Sequence, residues 1–223
     1  MPGTLDATAV WGPKIASFLM SDINVARLDF PSLAALRRPY SGMDYVHMGH
    51  VIAGGRIEIA TEFGGSMGRA LMSYRRIGNS QINVNSKYCH PGLLRPGFTS
   101  KDPKARTQDD VARLQTAAVL VHEITHMIQD WKRMWMSPLE REVDAYFAKA
   151  LYLVRVGADD LWPNGFANHA MIAAKFYHED SGYLRSSAFR RMHAEVSKEI
   201  REFYTGKVDY KLDPRSRGDG LNL

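Results

Sequence analysis

The stretch from Thr107 to Met136 is the strongest constraint on how this chain folds. Ala117, Leu120, Val121, Ile124, Ile128 and Trp131 recur at three- and four-residue intervals and make one apolar stripe on a helix. Thr107-Gln-Asp-Asp110 supplies a hydroxyl cap and acids in the first turn. Ser137-Pro138 stops that helix at about Met134 or Met136 and opens a second, expected to run to about Val156. Further helical stretches are expected at Phe166 to His178 and Tyr183 to Tyr204, after an earlier pair at Trp11 to Met20 and Ser32 to Arg38.

Strand signals are confined to the first half. Tyr45 to Val51 leads through Gly54-Gly55 into Arg56 to Phe63, a hairpin-like pattern. At Gln81 to Asn85, Ile82 and Val84 alternate with asparagines, as on a half-exposed strand. Pro91 to Arg106 reads as a long loop. The expected class is α+β: a small early β-sheet packed on the central helix, and a mainly helical C-terminal half. Residues 1–204 are expected to form one domain and 205–223 a flexible tail, where charges are interspersed with Gly and Pro.

Composition narrows the classes. With 223 residues, 45% hydrophobic and 24% charged, the chain has globular proportions and not those of a disordered, collagen-like or coiled-coil protein. Apolar runs such as that at Thr116 to Val121 fall far short of the ~18 residues of a membrane helix, so no membrane insertion is expected. The net charge is +5, but the basic pairs Arg37-Arg38, Arg75-Arg76, Lys132-Arg133 and Arg190-Arg191 are scattered, and no specific nucleic-acid binding is expected. Met1 to Val10 has no basic cluster ahead of an apolar core, and the single Cys89 cannot form an internal disulfide. Both features point to a cytoplasmic, reducing location.

The chemistry lies within the central helix, at Val121-His122-Glu123-Ile124-Thr125-His126. Two imidazoles at i and i+4 sit one turn apart on one face and can share a metal ion, with the intervening glutamate beside them to hold water. Random placement would produce this pattern roughly 0.01 times in a chain of this composition. On the wheel, His122, Glu123 and His126 lie opposite the apolar stripe, with Gln115 and Asp130. A merely solvated face would be built from Lys, Arg and Glu, and none of these lies between Arg113 and His122.

A catalytic zinc needs a third protein ligand and an open position. The next helix offers Glu140 and Glu142. Its apolar stripe is Leu139, Val143, Phe147, Ala150, Leu151 and Val154; Glu140 lies about 50° from the stripe's centre and Glu142 about 110° away, beside a Lys149 read as solvent-facing. The wheel therefore favours Glu140 and leaves Glu142 as the alternative. A rival role for Glu140 is a capping box with Ser137.

HExxH followed by Glu-x-x-x-Asp on the next helix resembles the gluzincin group of zinc metallopeptidases, over about 35 residues from Val119 to Leu153. The resemblance implies a zincin-like fold, zinc on His122, His126 and Glu140, Glu123 as general base, and Asp144 as a carboxylate orienting a ligand histidine. The connection of 13 residues between His126 and Glu140 is shorter than in thermolysin and demands a tight turn. The expected activity is hydrolysis of peptide bonds in a peptide or protein substrate, as an endopeptidase, through a zinc-bound water activated by Glu123. The strand at Gln81 to Asn85 is the expected edge for substrate addition. An oxyanion-stabilising Tyr or His is sought downstream among Tyr146, His169, Tyr177, His178 and Tyr183, with His178 and Tyr183 preferred. The alternative is a catalytically silent zincin-like domain that binds a partner, against which an intact Glu123 argues.

Overall fold

The computed structural model describes residues 6–32, 39–62, 71–77, 79–97, 102–163, 167–179 and 186–205. These residues form an α+β protein that is mostly helical. The helices are α1 (Ala7–Ser21), the single turn α2 (Ile23–Ala26), α3 (Gly42–Ala53), α4 (Gln108–Trp131), α5 (Pro138–Arg155), α6 (Asn168–Glu179) and α7 (Ser186–Thr205). The strands are β1 (Glu58–Glu62), β2 (Met72–Ile77) and β3 (Asn79–Asn85). Among the described residues, no helix is long and apolar enough to cross a membrane.

The central helix pair forms where the sequence signals it. Thr107 caps α4 in a reciprocal box with Asp110, and Ser137 does the same for α5 with Glu140, with Pro138 at the first helical position. The turn between them begins with Arg133 in the left-handed region (φ 49°), while the Met134 N–H bonds back to the Gln129 carbonyl at 2.9 Å. This Schellman-type ending reverses the chain within a few residues. The tight turn follows from it.

Both helices are interior on nearly every side. α4 packs against α5, β2 and α3, and α5 lies between α4 and the pair α6 and α7. Residues Thr116 to Gln129 of α4 and Glu142 to Leu153 of α5 are consequently buried whichever way they point. A wheel with one apolar stripe underestimates such helices, because the face opposite the stripe is also covered.

The sheet has strand order β1-β3-β2, with β1 parallel and β2 antiparallel to the central β3. In register, Ile59, Ile82 and Tyr74 lie side by side, as do Thr61, Val84 and Met72. Three expectations are corrected here. Tyr45 to Val51 lies within α3 and is not a strand, because Ser41 and Asp44 form a capping box and start a helix that ends only before Gly54-Gly55. Asn83 and Asn85 are buried and not half-exposed. β3 is the central strand and cannot be a free edge, since β1 and β2 occupy both its sides. The helix expected at Ser32 to Arg38 falls largely on residues 33–38, outside those described, as does the tail beyond residue 205.

Candidate metal centre

Glu142, not Glu140, meets the two histidines. His122 and His126 project from successive turns of α4 with their Nε2 atoms 3.2 Å apart. Glu142 approaches from the first turns of α5, with Oε1 at 3.2 Å from His126 Nε2 and Oε2 at 3.4 Å from His122 Nε2. The three residues can each offer one ligand atom within 4.8 Å of the others, and all are buried. Among the described residues, no other such His, Cys, Asp and Glu group occurs. Glu140 is spent elsewhere: its Oε2 accepts the Ser137 N–H at 2.7 Å in the capping box. The wheel misassigned the pair because it took the Glu142–Lys149 face as wet, whereas α4 covers it. Lys149 is only 6% exposed.

The donor set fits a divalent ion. Glu142 Oε2 is buried without a hydrogen bond, an expensive state for a carboxylate oxygen that a cation would relieve. Tautomers agree. Gln129 donates its Nε2 hydrogens to Tyr40 Oη and to the Arg141 carbonyl, both at 3.0 Å, so its Oε1 is the atom facing His126 Nδ1 at 3.0 Å. The imidazole must then donate from Nδ1, which leaves the Nε2 lone pair directed at the triad. Tyr40 Oη in turn donates to Asp144 Oδ2 at 2.9 Å, and Ser32 Oγ donates to the same oxygen at 2.6 Å.

Asp144 is linked to His126 by a relay through Tyr40 and Gln129. Gln129 was missed from sequence, although its position three residues after His126 on the same helix was a usable signal.

Electrostatics follow from burial. Burial pushes the His122 imidazole down to about 4, so it is neutral near pH 7. Burial also opposes charge on His126, but the Glu142 carboxylate outweighs it and holds that imidazole up at about 9. The same attraction overcomes the desolvation of Glu142 and keeps its carboxyl down at about 2. Without a metal, the site holds a proton on His126 where a cation would sit.

Glu123 stands outside the triad. Its Oε2 accepts the backbone N–H of Tyr74 at 2.8 Å, from the outer edge of β2. Burial raises its carboxyl to about 8, with the charge on His126 opposing. Tyr146 lies edge-on to the His122 ring at 4.7 Å between centroids. The other downstream candidates are engaged elsewhere or undescribed. His169 pairs with Glu199 at 2.8 Å, and Tyr177 donates to the Asp29 carbonyl at 2.9 Å. Tyr183 lies outside the described residues, as does the side chain of His178. Cys89 is buried, and burial raises its thiol to about 11.

Between α4 and α5, a cavity of about 670 Å³ is walled by Leu71, Val119, Leu153 and Leu161, with Tyr88 and Lys149 also lining it. No family model, no curated protein and no solved structure matches this chain.

Proposed function

We propose that this protein is a zinc-dependent metallopeptidase of gluzincin type on a zincin-like fold, hydrolysing peptide bonds in a peptide or protein substrate with Glu123 as general base. The observation that carries the reading is the convergence of His122 Nε2, His126 Nε2 and Glu142 within 4.8 Å, with Glu123 adjacent and uncommitted to that set. Two imidazoles and one carboxylate suit zinc and leave one position open for chemistry. His122, His126 and Glu142 would hold the ion, and when bound it supplies a Lewis acid that acidifies water and polarises a carbonyl.

The chain's own residues account for the remainder. The Tyr74 N–H fixes one oxygen of Glu123 and leaves the other to take a proton from water as that water adds to the scissile carbonyl carbon. Glu123 then returns the proton to the leaving nitrogen as the C–N bond breaks, giving a carboxylic acid and an amine, and the acid's remaining proton passes to the amine to leave a carboxylate and an ammonium. Burial raises the Glu123 carboxyl to about 8, and a bound dication would lower it again, so that Glu123 would be ionised as a base near neutral pH. Gln129 fixes the ring of His126, and Tyr146 packs on that of His122.

A second reading, a zincin-like domain that binds a partner without turnover, draws support from the depth of the triad: His122, His126 and Glu142 are only 3%, 6% and 4% exposed. Glu123 weighs against it, because a purely structural metal has no use for a buried base. The proposal places the protein in the cytoplasm, where a lone buried thiol suits the reducing conditions.

An unbiased peptide library tests the reading. Zinc-loaded wild type is expected to release new termini detectable by mass spectrometry, and Glu123→Gln, loaded equally with zinc, is expected to release none. Equal cleavage by both, or none by wild type, would overturn the peptidase.

A further inference from the structure

Lys149 is an unusual wall for an apolar cavity. Its residue is 6% exposed, it lines the cavity between α4 and α5, and among the described residues it is the one charged residue lining it. Among the described residues it has no ion pair or hydrogen bond; its Nζ is held only over the faces of Trp162 and Tyr146, 5.5 and 5.9 Å from the ring centroids. A buried ammonium that feels the Glu123 carboxylate but makes no ion pair with it is costly and has room for an anionic partner. Burial lowers the Lys149 amine to about 8, with the Glu123 carboxylate opposing, so a good part of it is still charged at pH 7.

The cavity and the triad share one face of α5. Glu142, Tyr146, Lys149 and Leu153 follow one another along one face of α5, and Tyr146 touches both the His122 ring and the Lys149 ammonium. Glu142 and Lys149 are two turns apart, about 10 Å along the helix axis, which two or three extended residues span. A volume of about 670 Å³ lies in the range that buries a small ligand or the end of a peptide. An internal Asp or Glu side chain would meet the charge but leave the walls of Leu71, Val119, Leu153 and Leu161 unfilled.

We propose that this cavity takes the free C-terminal end of a peptide, its last apolar side chain against the leucines and its terminal carboxylate on Lys149. Lys149 then determines specificity, and cleavage falls two or three residues from the C-terminus instead of at internal sites. The inference rests on the metallopeptidase reading for the reaction, but the binding it asserts is testable without turnover.

The probes are N-acetyl-Leu-Phe with a free carboxylate, the same compound as its C-terminal amide, and N-acetyl-Glu-Phe amide, titrated calorimetrically into the zinc-loaded full chain. The free acid is expected to bind wild type at least about tenfold more tightly than either amide, as a charge-assisted hydrogen bond to a buried ammonium implies. Lys149→Met is expected to abolish that preference while binding the Leu-Phe amide as wild type does, which also reports an intact pocket. Lys149→Gln, which keeps a polar chain without charge, takes its place if the methionine variant does not fold. Equal binding of acid and amide by wild type would overturn the assignment. So would a preference that survives loss of the Lys149 charge, since the carboxylate would then be sitting on the metal, or tight binding of the Glu-containing amide. A Lys149-dependent acid preference in a protein that cuts nothing in the library would keep the pocket and remove the peptidase. Cutting without that preference would do the reverse.

Discussion

Gln129→Met removes both polar atoms of the amide while keeping the length and burial of the side chain. In the wild type that amide makes four contacts: His126 Nδ1, Tyr40 Oη and the Arg141 carbonyl at 3.0 Å each, and the Arg141 Nε–H at 3.3 Å. Tyr40 keeps Asp144, and the Arg141 guanidinium keeps Asp130. The group left stranded is the His126 Nδ1–H, whose loss of a buried partner costs about 1–3 kcal/mol of stability. Freed of that bond, the ring can turn or change tautomer, and loss of such an outer partner weakens metal binding ~10–100-fold. Competition against a fluorescent zinc chelator gives the affinity, and denaturant unfolding of the metal-free protein gives the stability. Gln129→Glu separates the two effects. Its carboxylate still accepts from Nδ1 but presents no hydrogens to Tyr40 and Arg141, so stability falls while zinc affinity stays within about threefold of wild type or rises. A folded Gln129→Met that binds zinc as wild type does would refute the claim that Gln129 sets the ligand tautomer.

Zinc binding should be proton-coupled in a defined way. His122 is already neutral near pH 7, whereas His126 is held protonated up to about 9 by Glu142. In the Glu123→Gln protein, each zinc bound between pH 6 and 8 should therefore displace about one proton, and its affinity should fall about tenfold per unit decrease in pH; pH-independent binding would contradict this. Arg133→Gly should raise stability by up to ~1 kcal/mol in thermal unfolding, because a side-chain-bearing residue occupies the left-handed position at φ 49°. Gly42→Ala should lower it by about 1–3 kcal/mol, since a Cβ there would sit 1.9 Å from the Ala26 carbonyl oxygen and force α2 and α3 apart.

The parts of the fold that the sequence made legible are those with local causes. The capping boxes at Thr107 and Ser137, the proline at the start of α5 and the 3.6-residue stripe of α4 are all short-range, and they mark α4 and α5 to within a few residues. β2 escaped notice because Arg75-Arg76 breaks the alternation begun by Met72 and Tyr74, and its place beside α4 depends on tertiary packing. The histidine pair and its glutamate were legible because one helix holds all three. The acidic residue that meets the histidines was not, because choosing between Glu140 and Glu142 depends on which faces of α5 are covered. With α4 on one side and α6 and α7 on the other, the face carrying Glu142 and Lys149 is as interior as the apolar stripe. The same error hid Lys149. Tyr40 and Ser32, which hold Asp144 from more than a hundred residues away in sequence, had no local signature at all.

Metal content measured by elemental analysis on wild type, Glu140→Gln and Glu142→Gln, each purified without chelator and then supplied with zinc, tests the central assignment most directly. The proposed site is expected to hold about one zinc per chain in wild type and in Glu140→Gln, with Glu140→Gln losing only some stability at the α5 cap, and to lose most of the zinc in Glu142→Gln. Zinc lost in Glu140→Gln but retained in Glu142→Gln, or absent from wild type altogether, would contradict it.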